Sequence, residues 1–274
     1  MVRLISGVLL AAAFFALVWF GNAVVLLLVA LAVGVLALHE FGELMRQLGA
    51  AIPRLPAVFA TMAVIATVPF PYVAPVGVMG VGLVVIAIGA MVRAARVPKA
   101  PDPSSVSFTR AVSGATAGGF GMLYIGVPLG ALVTIHIFGG RGAVVLLVAT
   151  IVISDTAQYY SGRAFGRHPL APRLSPKKTI EGAVGGFVVA PIFLYLAGPY
   201  LIPVVTPLMI APLCLALVAC GIAGDLFESM IKRAADLKDS SALIPGHGGI
   251  LDRIDALLFA TPPFYLFVRW AYTV

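Results

Sequence analysis

Apolar runs long enough to cross a lipid bilayer follow one another along this sequence, and a fold that must cover itself with polar residues cannot absorb them. A span needs about 20 mostly apolar residues. Runs of that kind lie at roughly 4–20, 22–39, 56–75, 76–92, 112–138, 142–162, 182–199, 201–224 and 255–272. Of the 274 residues, 61% are hydrophobic and 11% charged. A soluble domain carries about 25% charged residues. The expected fold is therefore all-α, a polytopic transmembrane bundle of about nine helices. It is read as a single membrane-embedded domain over residues 1–274. It is divided into N-terminal helices, 1–149, and C-terminal helices and loops, 150–274; the polar clusters described below make the first the expected scaffold and lipid cavity and the second the expected catalytic helices and cytoplasmic loops.

The weakest boundaries are the Gly21-Asn22 junction and the third run, which Pro69, Pro71 and Pro75 interrupt. The first run, preceded by Arg3, has some features of a signal peptide, but the next helix begins at once, which favours a span. Cys214 and Cys220 lie in one apolar stretch and are expected to be small core residues rather than a disulfide or metal pair.

A net charge of +7 could suggest nucleic acid, but the positions of the charges point to topology. Arg46 and Arg54 follow the second run, and Arg93, Arg96, Lys99 and Arg110 the fourth. Arg163, Arg167, Arg173, Lys177 and Lys178 follow the sixth, and Lys232, Arg233, Lys238 and Arg253 the eighth. Arg141 and Arg269 fall on the other side. The positive-inside rule then places these basic loops and the N-terminus in the cytoplasm. The expected location is a cell (inner) membrane, with a cationic face suited to anionic lipid and nucleotide.

Eight of the eleven carboxylates fall after residue 154, in three polar clusters. The first is Ser154-Asp155 through Arg163. Asp155 lies about two turns inside its helix, and Gln158, Tyr159 and Gly162 share its face by i+3, i+4 and i+7 spacing. An ionisable group inside a span is costly and marks function unless a buried partner explains it. The second cluster is a loop from Gly166 to Gly182 holding His168, Ser175, Lys177, Lys178 and Thr179 just before a glycine-rich helix start. Lysines and helix N-terminal N–H groups there suit a phosphate chain, although GxxxxGK[ST] is absent and a merely solvated basic loop is the plain alternative.

The third cluster is the richest. Asp225, Glu228, Ser229 and Lys232 share a helical face. Lys238 and Asp239 follow, then Pro245-Gly246-His247-Gly248-Gly249, then Asp252-Arg253 and Asp255 at the next helix start. Carboxylates at two helix ends could hold Mg²⁺ beside a substrate phosphate. His247 has no partners at zinc-ligand spacing, so substrate contact or a loop cap are its two readings.

The run Ser229–Asp255 resembles the diagnostic motif of phosphatidate cytidylyltransferases, also called CDP-diacylglycerol synthases. It has the form S-x-hydrophobic-K-R, four residues, K-D, then P-x-H-G-G-x-x-D-R-x-D. The stretches Asp155–Arg163 and Ser175–Gly182 are also similar to that family, so the resemblance covers roughly residues 150–260. Gln158 departs from it, standing where the family often has a small residue. The resemblance implies transfer of a cytidylyl group from CTP to phosphatidic acid by a Mg²⁺-dependent homodimer among membrane lipids, with a second metal ion an open point. It implies that Asp225, Asp252 and Asp255 hold metal.

Catalytic roles are expected for Asp225, Lys232, Lys238, Asp252 and Asp255. Substrate binding is expected for Asp155, Arg163, Ser175, Lys177, Lys178, Thr179, Ser229, Arg233, Asp239, His247, Gly248, Gly249 and Arg253. Two other readings stand beside this one. One is a related CTP-using enzyme acting on another lipid phosphate or a prenyl alcohol. The other is a transporter, which would place charges near the midplane and repeat its halves in inverted topology.

Overall fold

The computed structural model describes residues 12–70, 72, 74–95, 106–203, 205–241 and 248–272. His247 with Pro245 and Gly246, the start of the first apolar run, and nearly all of the loop 97–107 lie outside them. Helix α1 (12–20) is followed by α2 (Ala23–Gln47), α3 (Arg54–Thr67), α4 (Pro75–Ala95) and α5 (Val106–Gly121). A π-helical turn, Met122–Gly126, joins α5 to α6 (Val127–Phe165). Strands β1 (Pro169–Ala171) and β2 (Ser175–Thr179) precede α7 (Ile180–Leu201), α8 (Pro207–Ala234) and α9 (Leu251–Ala271). Among the described residues, five helical stretches are long and apolar enough to cross a membrane: Ala23–Gln47, Pro75–Ala95, Phe108–Phe165, Ile180–Leu201 and Pro207–Ala234. The chain is an all-α multi-pass membrane protein.

Helix α4 shows the solvent it is built for. Its buried residues are Gly82, Ile86 and Ala90, one narrow stripe at i, i+4, i+8. Val76, Val81, Val84, Ile88 and Met91 point outward and are exposed. A water-facing helix would carry polar residues there, so lipid is the partner of that face. Helix α7 repeats the pattern with Gly182, Gly186, Ala190, Leu194 and Gly198 inward.

Two boundaries differ from the sequence reading, and a third falls where that reading parts its fifth and sixth runs. The third run ends at Thr67, because Pro69 has no N–H to continue the ladder, and its 14 residues reach only about 21 Å. The fifth and sixth runs meet end to end at a kink on Gly140, where φ is 70° and ψ −176°. The basic loop after α6 is not wholly irregular: β1 and β2 pair antiparallel, Pro169 opposite Thr179 and Ala171 opposite Ser175.

The chain forms two units. One comprises Met1–Leu26, Leu132–Arg233 and Arg253–Val274, the other Leu27–Ala131 and Ala234–Asp252. The core of the first is built from Ile135, Leu146, Leu147, Leu194, Cys214, Leu217 and Phe264, among others. Its helices approach closely through glycine. A Cβ on Gly185 would lie 2.1 Å from Ser161 Oγ, and one on Gly182 2.7 Å from the Gln158 carbonyl, so α6 and α7 touch backbone to backbone. The same holds for α8 and α9, where a Cβ on Gly224 would meet the Asp255 carbonyl at 2.5 Å. The second unit packs Phe41, Leu44, Ile65, Ile86, Met122 and Ile125 at its centre.

Candidate active site

In the first unit the residues of the basic loop after α6 and of the helices beside it close on a cleft of about 520 Å³. Four elements line it: α6 through Asp155, Gln158, Tyr159, Gly162 and Arg163, the hairpin through Leu170, Lys177 and Lys178, the start of α7 through Thr179, Gly182 and Ala183, and α8 through Asp225. The volume is that of a small-molecule site, for which about 300–1,000 Å³ is usual. Asp155, Gln158, Tyr159 and Gly162 do share one face, as their spacing requires.

The geometry starts from α7. Thr179 is its N-cap, and its Oγ1 accepts from Gly182 N–H at 3.1 Å. The hairpin holds this end in place: Ile180 N–H donates to the His168 carbonyl at 2.9 Å. Glu181 turns back onto the same loop, meeting His168 Nδ1 at 2.6 Å and accepting from the Arg167 and His168 N–H groups at 3.1 and 3.3 Å. That staple fixes the short strand carrying Lys177 and Lys178. Lys178 forms an ion pair with Asp225. Asp155 faces both Lys178 and Asp225, and its Oδ1 accepts from Gln158 Nε2 at 3.2 Å. Arg163 Nη1 lies 3.5 Å from the Tyr159 hydroxyl.

Asp225 connects this cleft to the rest of α8 and α9. Ser229 Oγ sits 3.5 Å from its Oδ1. Asp255 is half-buried, accepts from Ala256 N–H at 2.8 Å, and faces Asp225, Glu228 and Lys232. Lys232 donates to Glu228 at 2.7 Å, a pair held at 13% and 1% exposure. Arg233 and Arg253 are exposed.

The remaining motif residues belong to the second unit. Lys238 and Asp239 are exposed. Asp252 turns back over its own helix start, where its Oδ2 accepts from Gly249 N–H at 2.7 Å, Ser240 Oγ at 2.9 Å and Ser240 N–H at 3.0 Å. Gly248 has φ 77°, and a Cβ there would lie 2.6 Å from Asp252 Oδ2. A Cβ on Gly249 would lie 2.0 Å from Ser240 Oγ. Both glycines are needed for this close turn.

Sequence reasoning gave no role to Glu181 or Glu40, and placed Glu228 on the Asp225 face without a role.

The donor set suits a hard cation. Asp155, Asp225 and Asp255 present carboxylate oxygens, the ligands Mg²⁺ takes when substrate phosphates complete its shell. Lys178 already brings a cation between Asp155 and Asp225, so the cleft carries both the charges that would hold a metal and those that would hold a phosphate. Among the described residues no three acidic, histidine or cysteine side chains converge as a ready-made metal cage.

The family model for the cytidylyltransferase family matches residues 1–271. The chain belongs to the cytidylyltransferase family. Relatives within reach of this family member include a phosphatidate cytidylyltransferase of Haemophilus influenzae, 46% identical over 137 residues, which are 47% of this chain and 48% of that one. A phosphatidate cytidylyltransferase of Thermotoga maritima is 36% identical over 171 residues, 60% of this chain and 61% of that one. The uncharacterized protein YnbB of Escherichia coli is 42% identical over 140 residues, 51% of this chain and 46% of that one. This cytidylyltransferase-family chain thus spans about half the length of the curated relatives it matches.

Proposed function

We propose that this chain transfers a cytidylyl group from CTP to phosphatidic acid, giving CDP-diacylglycerol and pyrophosphate. The observation that carries the reading is the cleft in which Asp155, Lys178 and Asp225 meet at the capped start of α7. Membership of the family and the activity named for two relatives support it.

A phosphate oxygen of phosphatidic acid attacks the α-phosphorus of CTP. The new P–O bond forms as the bond to the β-phosphate oxygen breaks, and the electron pair leaves with pyrophosphate. The nucleophile needs no strong base, since a phosphate monoester has a second pKa of about 6. What the protein must supply is charge neutralisation and alignment of two polyanions. In this reading Arg163, Lys177 and Lys178 contact phosphate oxygens, and the N–H groups at the start of α7 add a fixed positive dipole end. Lys232, Lys238, Arg233 and Arg253 carry further phosphate contacts, with Ser175, Ser229, Asp239, His247, Gly248 and Gly249 around the substrates. Asp225 and Asp255 would hold Mg²⁺, with Asp252 contributing one turn earlier on α9. Bound there, the ion would neutralise charge on the phosphates. The chain is proposed to act as a homodimer in the inner membrane, with lipid tails entering between helices.

The deciding measurement is CTP-dependent product formation by purified protein in detergent–lipid micelles. Phosphatidic acid, an ether-lipid phosphate and a prenyl alcohol are offered in parallel. Turnover is expected with phosphatidic acid and CTP, not ATP, and is expected to fall at least about a hundredfold in excess EDTA. Preference for another acceptor would move the assignment within the family, and full activity in EDTA would remove the metal.

Orientation is tested with single cysteines in a background lacking Cys214 and Cys220. Arg173→Cys lies in the hairpin turn and Thr206→Cys in the connection before α8. An impermeant thiol reagent is expected to reach position 206, not 173, from outside intact cells. The reverse pattern would invert the topology.

A further inference from the structure

Glu40 lies in the last third of α2, a helix long and apolar enough to cross a membrane, and it is 3% exposed. An ionised group in that position needs compensation by several donors. Here the donors come from 200 to 211 residues away. Oε1 accepts from Ser241 Oγ at 2.6 Å and Ile250 N–H at 3.0 Å. Oε2 accepts from Leu251 N–H at 2.8 Å and lies 3.1 Å from Ser240 Oγ.

These donors are not scattered. Ser240 and Ser241 follow Lys238-Asp239 of the motif, and Ile250 and Leu251 open α9, whose first turn holds Asp252. The first N–H groups of a helix have no partner within it. At α9 two of them are satisfied by a side chain from α2. Ser240 Oγ is within reach of both Glu40 Oε2 and Asp252 Oδ2, so the two carboxylates bracket one hydroxyl. Gly249 lets them come together: a Cβ there would lie 2.4 Å from Glu40 Oε2. One carboxylate thus ties two parts of the motif, Ser240–Ser241 and Ile250–Leu251, at the start of the helix that carries its last aspartates.

We infer that Glu40 is a positioning residue for the reaction: it sets the start of α9, and through it the direction of the Asp252 carboxylate, without touching substrate. This rests on the function proposed above. A buried carboxylate serving only stability would be replaceable by an apolar or amide side chain with a loss of stability alone. A positioning residue would show in turnover while the nucleotide cleft, built from other residues, keeps its affinity.

The test compares full-length wild type, Glu40→Gln and Glu40→Ala in detergent, by steady-state kinetics and by amide hydrogen exchange of residues 248–252. Gln keeps the shape and one acceptor oxygen but presents N–H groups to Ser241 or Leu251. Both variants are expected to lose kcat by about tenfold or more, with the KM for CTP changed by less than about threefold. The Ile250 and Leu251 amides are expected to exchange at least about tenfold faster. A folded Glu40→Gln protein with wild-type kcat, or with unchanged exchange at those amides, overturns the inference. Should Glu40→Ala fail to fold, Glu40→Gln decides. Wild type without CTP-dependent turnover on any acceptor would defeat the proposed function instead, and the exchange measurement would still judge the clamp.

Discussion

Asp225→Asn is expected to lower turnover by about a thousandfold, close to 4 kcal/mol of transition-state stabilisation, while the protein still inserts and folds. Asp225 pairs with Lys178, faces Asp155 and Asp255, and has Ser229 against its other oxygen. Asn preserves the volume and an acceptor, so helix packing around Gly224 is undisturbed. It cannot hold a divalent cation as a carboxylate does, and it removes the Lys178 ammonium's ion-pair partner, leaving only Asp155 facing it. The measurement is specific activity per folded protein, with thermal unfolding in detergent alongside. Asp236→Asn is the matched control. Asp236 is exposed with φ 53°, a conformation Asn adopts readily, so that variant should retain full activity. A folded Asp225→Asn protein within about threefold of wild type would take Asp225 out of the chemistry.

Asp252 is expected to separate two roles when it is changed in two ways. Its Oδ2 receives three hydrogen bonds from Ser240 and Gly249. Asp252→Asn can keep an oxygen at that point and so keep the turn, but it removes a charge. Asp252→Ala removes both. If Asp252 contributes to metal binding, Asn alone should cost at least about a hundredfold in turnover, roughly 2.7 kcal/mol, with little change in unfolding temperature. Ala should cost as much activity and in addition about 1–3 kcal/mol of stability, from stranded donors at the turn. Equal stability losses in both variants, with activity retained in the folded Asn protein, would leave Asp252 a helix cap only.

These two residues also show how far the sequence could be read. Asp225 was legible because i, i+3, i+4 and i+7 spacings are a property of helices themselves. Hence the common face of Asp155, Gln158, Tyr159 and Gly162 needed no tertiary information. The break at Gly140 was legible for a similar reason, since Gly139-Gly140 interrupts an apolar run. The turn made by Asp252 was not, because a carboxylate before a helix reads equally as ligand or cap until its donors are seen. Glu40 was further out of reach: its partners lie in a segment some 200 residues on, and no local period connects them. The hairpin Pro169–Thr179 was hidden by its composition. Strands of three and five residues with two prolines and two lysines carry no alternation of apolar and polar side chains. Their register comes from the two ends, the His168 carbonyl and the Glu181 staple.

The π-helical turn at Met122–Gly126 has a consequence for anyone who cuts and rejoins this chain. One residue too many for an α-helix is housed there, and an extra residue rotates everything beyond it by about 100°. Before it, Gly118 and Gly121 fit against Ile86 and Phe41; after it, Gly126 and Gly130 fit against Val64 and Val68. The two glycine pairs face their own neighbours only because of that offset. Chimeras with relatives joined anywhere in α5 or α6 should therefore be aligned by counting residues through the turn rather than by matching letters. Substitutions at the exposed Leu123 should be absorbed, whereas deleting it would aim the second pair of glycines at the wrong wall.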